Sequence, residues 1–72
     1  MEVDRWVEVD LVLFDAGIDG HRRDEICNEL LVELASVPLD QLRDEVAEIL
    51  IDRHIHECDP EWVEDQLRRY NA

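Results

Sequence analysis

The segment 54–58, His-Ile-His-Glu-Cys, contains the residue types in this sequence that are most suited to chemistry. Imidazoles and thiolates are zinc ligands. On a helix, His54 and Cys58 share a face, whereas His56 points away from both. The sequence lacks a Cys-x-x-Cys pair, the motif that marks a typical zinc site. The segment therefore favours a structural role, with a buried cysteine and histidines near a helix end.

A small metal-stabilised domain is the alternative interpretation of this segment. If the second and third helices form a hairpin that turns near Val37, His21 lies beside His54. His21, His54 and Cys58 would then be the ligands, with Asp19 as a further carboxylate. We predict instead that the protein has no metal and no cofactor.

Catalytic groups are scarce. Acid–base catalysis needs two carboxylates in different environments, and only Asp10 falls within an apolar arc. Ser36 is the only hydroxyl nucleophile of the serine and threonine type, and Gly17 and Gly20 are too few for a phosphate-binding loop. We predict a non-enzyme without catalytic residues.

The spacing of the apolar residues predicts an all-α fold. We expect one domain, 1–72, built as a compact bundle of three to four short helices, with dimerisation as one way to complete its core. The predicted helices are 3–16, 21–35, 38–58 and 60–70.

The first of these helices has a competing interpretation as a strand over 6–14, because Val7, Val9, Leu11 and Leu13 alternate with acids. The helix is favoured by Gly17 followed by an apolar residue, which is the pattern of a helix C-terminus.

The third helix carries two apolar stripes, and the second stripe needs a neighbour of its own. A second copy of the chain is one candidate for that neighbour. The predicted oligomer interface consists of Ile51, Ile55, Cys58, Trp6 and Trp62.

Compartment and redox state follow from the termini and the cysteines. No apolar run approaches the roughly 20 residues that cross a bilayer, and the N-terminus does not resemble a signal peptide. We predict a cytoplasmic protein, or one in the host cytoplasm if it is phage-encoded, that does not bind membranes. In such a compartment Cys27 and Cys58 are expected to be thiols. The predicted hairpin also separates them by about 16 Å, too far for a disulfide.

Charge is the strongest global feature of the sequence. Twenty acids stand against seven bases, a formal net charge of −13, and every base is arginine. Such a surface repels polyanions, so we predict no direct nucleic-acid binding. It attracts a protein partner with a basic surface. An acid-rich proteome is the competing explanation for this composition.

These features predict a small acidic interaction module that binds and inhibits a basic partner protein. Phage inhibitors of host or defence machinery, some of which mimic DNA, are proteins of this kind. The alternatives are an immunity protein or antitoxin, a structural or regulatory homodimer, and the metal-stabilised domain. The predicted partner-binding acids are Asp24, Glu25, Glu29, Glu33, Asp44, Glu45, Glu48 and Asp52.

Overall fold

The chain folds into four α-helices over residues 5–71, the part that a computed structural model describes, with side chains described for 5–69. They are α1 (Arg5–Asp15), α2 (Gly20–Glu33), α3 (Leu39–Arg53) and α4 (Pro60–Asn71). Residues 5–71 contain no strand. The prediction of an all-α bundle is confirmed, and the alternative strand over 6–14 is wrong.

Helix α1 ends as its sequence predicts. Gly17 has a positive φ of 85°, which costs glycine little. Its N–H donates to the carbonyl oxygen of Phe14 at 3.0 Å, and the N–H of Ile18 donates to that of Leu13 at 3.0 Å. These two bonds define a Schellman motif. The predicted start at residue 3 lies outside the described residues.

The core forms around α1, which packs against both α2 and α3. Helices α2 and α3 approach each other less closely than either approaches α1. The predicted α2–α3 hairpin is therefore wrong, because α2 and α3 each pack mainly against α1 and not against each other. The largest side chains with no solvent exposure come from all three helices: Val9, Leu13, Ile26, Leu30, Leu42, Val46 and Leu50.

Helix α3 is shorter than predicted, because it ends at Arg53 and does not continue to Cys58. The N–H of His54 donates to the Leu50 carbonyl oxygen at 2.8 Å, and a short 3-10 helix, Ile55–Glu57, follows. The N–H of Asp59 then donates to the carbonyl oxygen of Ala16 at 2.7 Å. This bond ties the α3–α4 turn to the end of α1.

Helix α4 starts at residue 60, as the predicted helix 60–70 does. Asp59 precedes the helix and Pro60 is its first residue. The Oδ1 atom of Asp59 accepts a hydrogen bond from the N–H of Glu61 at 2.9 Å, which is the bond of an N-cap. Two half-buried residues, Trp62 and Val63, pack this helix against the core.

Candidate functional site

The arginines of α3 are directed toward other helices. Arg43 forms an ion pair with Glu8 of α1. Arg53, at the C-terminal end, pairs with Glu33 of α2, with 2.6 Å between Nη2 and Oε2. Both arginines therefore form their ion pairs with acids of other helices.

A row of acids follows from this arrangement along the outer side of α3. Asp40, Asp44, Glu48 and Asp52 recur at four-residue steps, so successive members are neighbours on the helix surface, each rotated about 40° further around the axis. We call these four residues the α3 row. All four are exposed, and none forms an ion pair within 4.0 Å in the described part of the chain.

The α3 row only partly matches the predicted acids. Asp44, Glu48 and Asp52 were predicted, and half-buried Glu45 lies beside the row. Asp40 was missed, although it precedes Asp44 by the same four-residue step. That spacing, continued one turn toward Pro38, is the signal in the sequence that identifies it.

The predicted acids of α2 are exposed but differ in their partners. Glu25 pairs with Arg22 at 3.2 Å, and Glu33 pairs with Arg53. Asp24 and Glu29 form no ion pair in the described structure. The eight acids therefore do not form a uniform surface, since α2 is partly neutralised by arginine and α3 is not.

Acids of both α2 and α3 lie near Arg53. The hydrogen bond from Arg53 to Glu33 raises the pKa of the guanidinium, and the negative charges of Glu29 and Asp52 add to that shift. The C-terminal member of the α3 row therefore lies near the same arginine as two acids of α2.

The segment 54–58 forms a polar clamp and not a ligand cluster. The carboxylate of Glu57 accepts a bond from Arg22 Nη2 at 3.0 Å and lies 2.7 Å from His54 Nδ1. These contacts lower the pKa of Glu57 to about 2, and the hydrogen bond from Arg22 has the largest effect. The segment thus fastens the turn after α3 to the N-terminal end of α2.

The alternative metal site of His21, His54 and Cys58 is not assembled. Among residues 5–69, no three His, Cys, Asp or Glu side chains are grouped where they could hold a metal ion. The thiol of Cys58 donates to the His54 carbonyl oxygen at 3.3 Å, and burial raises its pKa to about 11. The helix that was expected to align His54 with Cys58 ends before both residues.

The two cysteines are not joined by a disulfide, as predicted. Cys27 is buried between α1 and α2, where its thiol lies 3.9 Å from the carbonyl oxygen of Trp6. Cys58 is buried in the α3–α4 turn.

The residues of the predicted oligomer interface lie in different surroundings. Cys58 is only 7% exposed and belongs to the core of the monomer, so little of its side chain is accessible to an interface. Trp62 is half-buried against that core, and Ile51 is also half-buried. Trp6 and Ile55 are 41% and 37% exposed.

An acidic concavity lies where α4 begins, next to the C-terminal end of α1. Its volume is about 480 Å³, and its walls include Asp15, Asp59, Asp65 and the indole of Trp62. Arg69 also lines it and lies 3.9 Å from Asp65, so a base of the same chain already offsets part of this negative charge.

Comparison with family models, curated proteins and solved structures finds no match to this chain. Within residues 5–71, no helix combines the length and the apolar character that crossing a membrane requires.

Proposed function

We propose that this protein is a non-catalytic interaction module whose α3 row binds a basic surface on a partner protein and inhibits that partner by occupying the surface. One observation carries the proposal. Four exposed acids follow one another on α3, while both arginines of that helix are directed to other helices.

The repulsion between neighbouring acids of the α3 row supports a function for them, because it costs the helix stability. Like charges at i and i+4 destabilise a helix by about 0.2–0.5 kcal/mol for each pair. The row contains three such pairs in succession, and replacing an internal member with arginine would convert repulsion into attraction. An external cation that binds the row relieves the same repulsion, so part of the binding free energy comes from strain already present in the unbound protein.

The spacing of the row suits a partner that ordinarily binds nucleic acid. Four residues of α-helix rise about 6 Å, and phosphates follow one another at about 3.4 Å along the axis for each DNA strand. The row therefore presents one charge for roughly every second phosphate step. Arginines and lysines arranged to contact a phosphate backbone would find carboxylates at compatible intervals, and binding would compete with nucleic acid.

An immunity protein or antitoxin would use the same row against a basic toxin. That role is the second candidate, and the same surface supports it, because the basic groove of a nuclease is also built to receive phosphates. The two candidates differ in the identity of the captured protein, which the experiment below determines.

The experiment is affinity capture from extracts of the native host, with the wild-type chain and two variants. Asp44→Asn/Glu48→Gln removes two charges from the α3 row. Glu64→Gln/Asp65→Asn removes the same number from α4, where both acids are exposed. We expect the wild type and the α4 variant to retain the same partner and the α3 variant to lose it.

Two further measurements test whether charge complementarity holds the partner on the protein. Raising the salt concentration should release the partner, because ions screen the attraction. Added DNA should compete with the bound protein. If the α3 and α4 variants retain the partner equally, the α3 row is not the binding surface, and release by neither salt nor DNA would contradict the proposed mode of binding.

A further inference from the structure

Helix α1 has a second apolar face, which the monomer leaves exposed. Val7, Leu11 and Phe14 recur at steps of four and three residues, so they line one side of the helix. Their exposed fractions are 40%, 44% and 61%. Buried Val9 and Leu13 lie on the opposite side. We call Val7, Leu11 and Phe14 the α1 stripe.

Ion pairs neutralise one acid on each flank of the α1 stripe, and exposed Asp15 at its C-terminal end forms no ion pair among the described residues. On one flank, Asp10 lies 3.0 Å from Arg23, whose guanidinium carbon is also 5.5 Å from the centroid of the Phe14 ring. On the other flank, Glu8 pairs with Arg43. The stripe is therefore an apolar surface bordered by two paired acids and one unpaired acid, which is close to charge balance for a chain whose formal net charge is −13.

This balance determines which partner the stripe fits. A basic protein gains little from a surface on which both flanking acids already have arginine partners, and it is better matched by the α3 row. An apolar strip between neutral ion pairs fits a strip of the same kind. The α1 stripe of a second copy has that character, and its acidic row lies on a different helix.

We propose that two copies of this chain associate through the α1 stripe, with the two α1 helices packed antiparallel. Such an interface is isologous, since the same surface contributes from both sides. Leu11 lies near the two-fold axis and faces Leu11 of the partner subunit. Val7 then lies opposite Phe14 of the partner subunit, so that a small side chain meets a large one at each end.

The size and charge of the surface indicate a weak, reversible dimer. Three side chains form a shorter apolar centre than a standard interface, which buries about 800 Å² on each partner. Two strongly negative chains also repel each other, and salt screens that repulsion. Dimerisation should therefore become stronger as ionic strength rises.

The test is sedimentation equilibrium of the full chain from about 10 μM to about 1 mM, at low and at high salt. The wild type should move toward the mass of a dimer as concentration rises, and more so at high salt. Leu11→Asp should weaken association by roughly tenfold or more, because it removes a large apolar side chain from the centre of the interface.

Val32→Asp is the matched control, since it makes the same substitution of charge for an exposed apolar side chain. Val32 lies on α2 and is 81% exposed. It should leave the association unchanged. Circular dichroism of both variants checks that each retains its helices. A wild type that stays monomeric at the highest concentration and both salt levels overturns the proposal, and so does an equal loss in the two variants.

A crosslinking experiment tests the antiparallel register directly. Leu11→Cys should give a disulfide-linked dimer under mild oxidation, because the two positions face each other across the axis. Val32→Cys should crosslink much more slowly, and equal rates would contradict the register. The dependence on salt separates this interface from the α3 row, since the dimer should strengthen as salt rises and a complex with a basic partner should weaken.

Discussion

Helices α3 and α4 both carry acids and two arginines, but they pair them differently. On α4, Glu64 pairs with Arg68 at 2.7 Å and Asp65 lies 3.9 Å from Arg69, both at four-residue steps. On α3, the same step leads from acid to acid along the row. A general enrichment in acids does not explain this difference within one chain. The arginines are placed so that Glu64 and Asp65 are paired within α4, whereas the α3 row has no such pairs.

The two helices also differ in how firmly they are held. Leu42, Val46 and Leu50 of α3 have no solvent exposure. On α4, the described side chains that pack on the core are only partly buried, with Trp62 and Val63 the main contacts. The unpaired charges therefore lie on the rigid helix, where their spacing is fixed, and the paired ones lie on the more weakly anchored helix.

The largest expected effect tests this difference in anchoring. Leu50→Ala should lower the free energy of unfolding by about 2–5 kcal/mol, because it opens a cavity in the core. Leu67→Ala on α4, where the side chain is 43% exposed, should lower it by less than about 1 kcal/mol. Urea denaturation followed by circular dichroism measures both, and similar losses would show that α4 is as firmly held as α3.

Glu48→Arg should separate stability from binding. The new base pairs with Asp44 one turn earlier and gives α3 the pattern of α4, so stability should rise by about 0.2–1 kcal/mol. Affinity for the basic partner should fall by more than about tenfold, because a cation then stands within the row.

Glu64→Arg is the control for this substitution. It makes the same change of charge on α4, but breaks the pair with Arg68, so it should lower stability slightly and leave the affinity unchanged. Thermal unfolding and titration calorimetry supply the two readings. A gain in affinity for Glu48→Arg would contradict the assignment of the row.

Acid should loosen the clamp that holds the C-terminal end of α3. Arg22 and His54 lower the pKa of Glu57 from its ordinary value near 4.5 to about 2. A lowered folded-state pKa contributes stability that is present above pH 4.5 and is lost as the pH falls toward 2.

A Glu57→Gln variant isolates this contribution from the other carboxylates. It should be less stable than the wild type by about 1 kcal/mol at neutral pH, a value discounted for partial exposure. The difference should shrink as the pH falls below 4.5. Denaturation curves at pH 7, 4 and 2.5 check this expectation, and a difference independent of pH would assign the loss to packing.

The smallest expected effect is a change in helix opening with salt. Screening relieves the repulsion within the α3 row and weakens the ion pairs of α4. Amide hydrogen exchange should therefore slow in α3 and quicken in α4 as the salt concentration rises, each by a few tenths of a kcal/mol in opening free energy. If the exchange rates of α3 and α4 change in the same direction as salt rises, the two helices do not differ in the way their charges are paired.

Local signals in the sequence predicted those parts of the fold that depend on neighbouring residues. Gly17 and Ile18 end α1, and Asp59 with Pro60 starts α4, because each motif satisfies its hydrogen bonds within a few residues. The end of α3 at Arg53 was missed, since the bond from Asp59 to Ala16 and the contact of Glu57 with Arg22 join distant parts of the chain.

The candidate site also has features that local sequence patterns predicted and features that depend on contacts between distant residues. Periodicity placed Asp44, Glu48 and Asp52 on an outer face, as the structure confirms. It could not show that these acids form no ion pair among the described residues, because the arginines that reach Glu8 and Glu33 do so across helices.

The buried thiols of Cys27 and Cys58 give the molecule two internal reporters of its own motion. An alkylating reagent can reach either sulfur only when the surrounding structure opens, and the raised pKa of Cys58 slows its reaction further. Modification of Cys27 would time the separation of α1 from α2, and modification of Cys58 would time the release of the turn between α3 and α4. Mass spectrometry of the alkylated chain could thus compare the opening of these two regions without any added label.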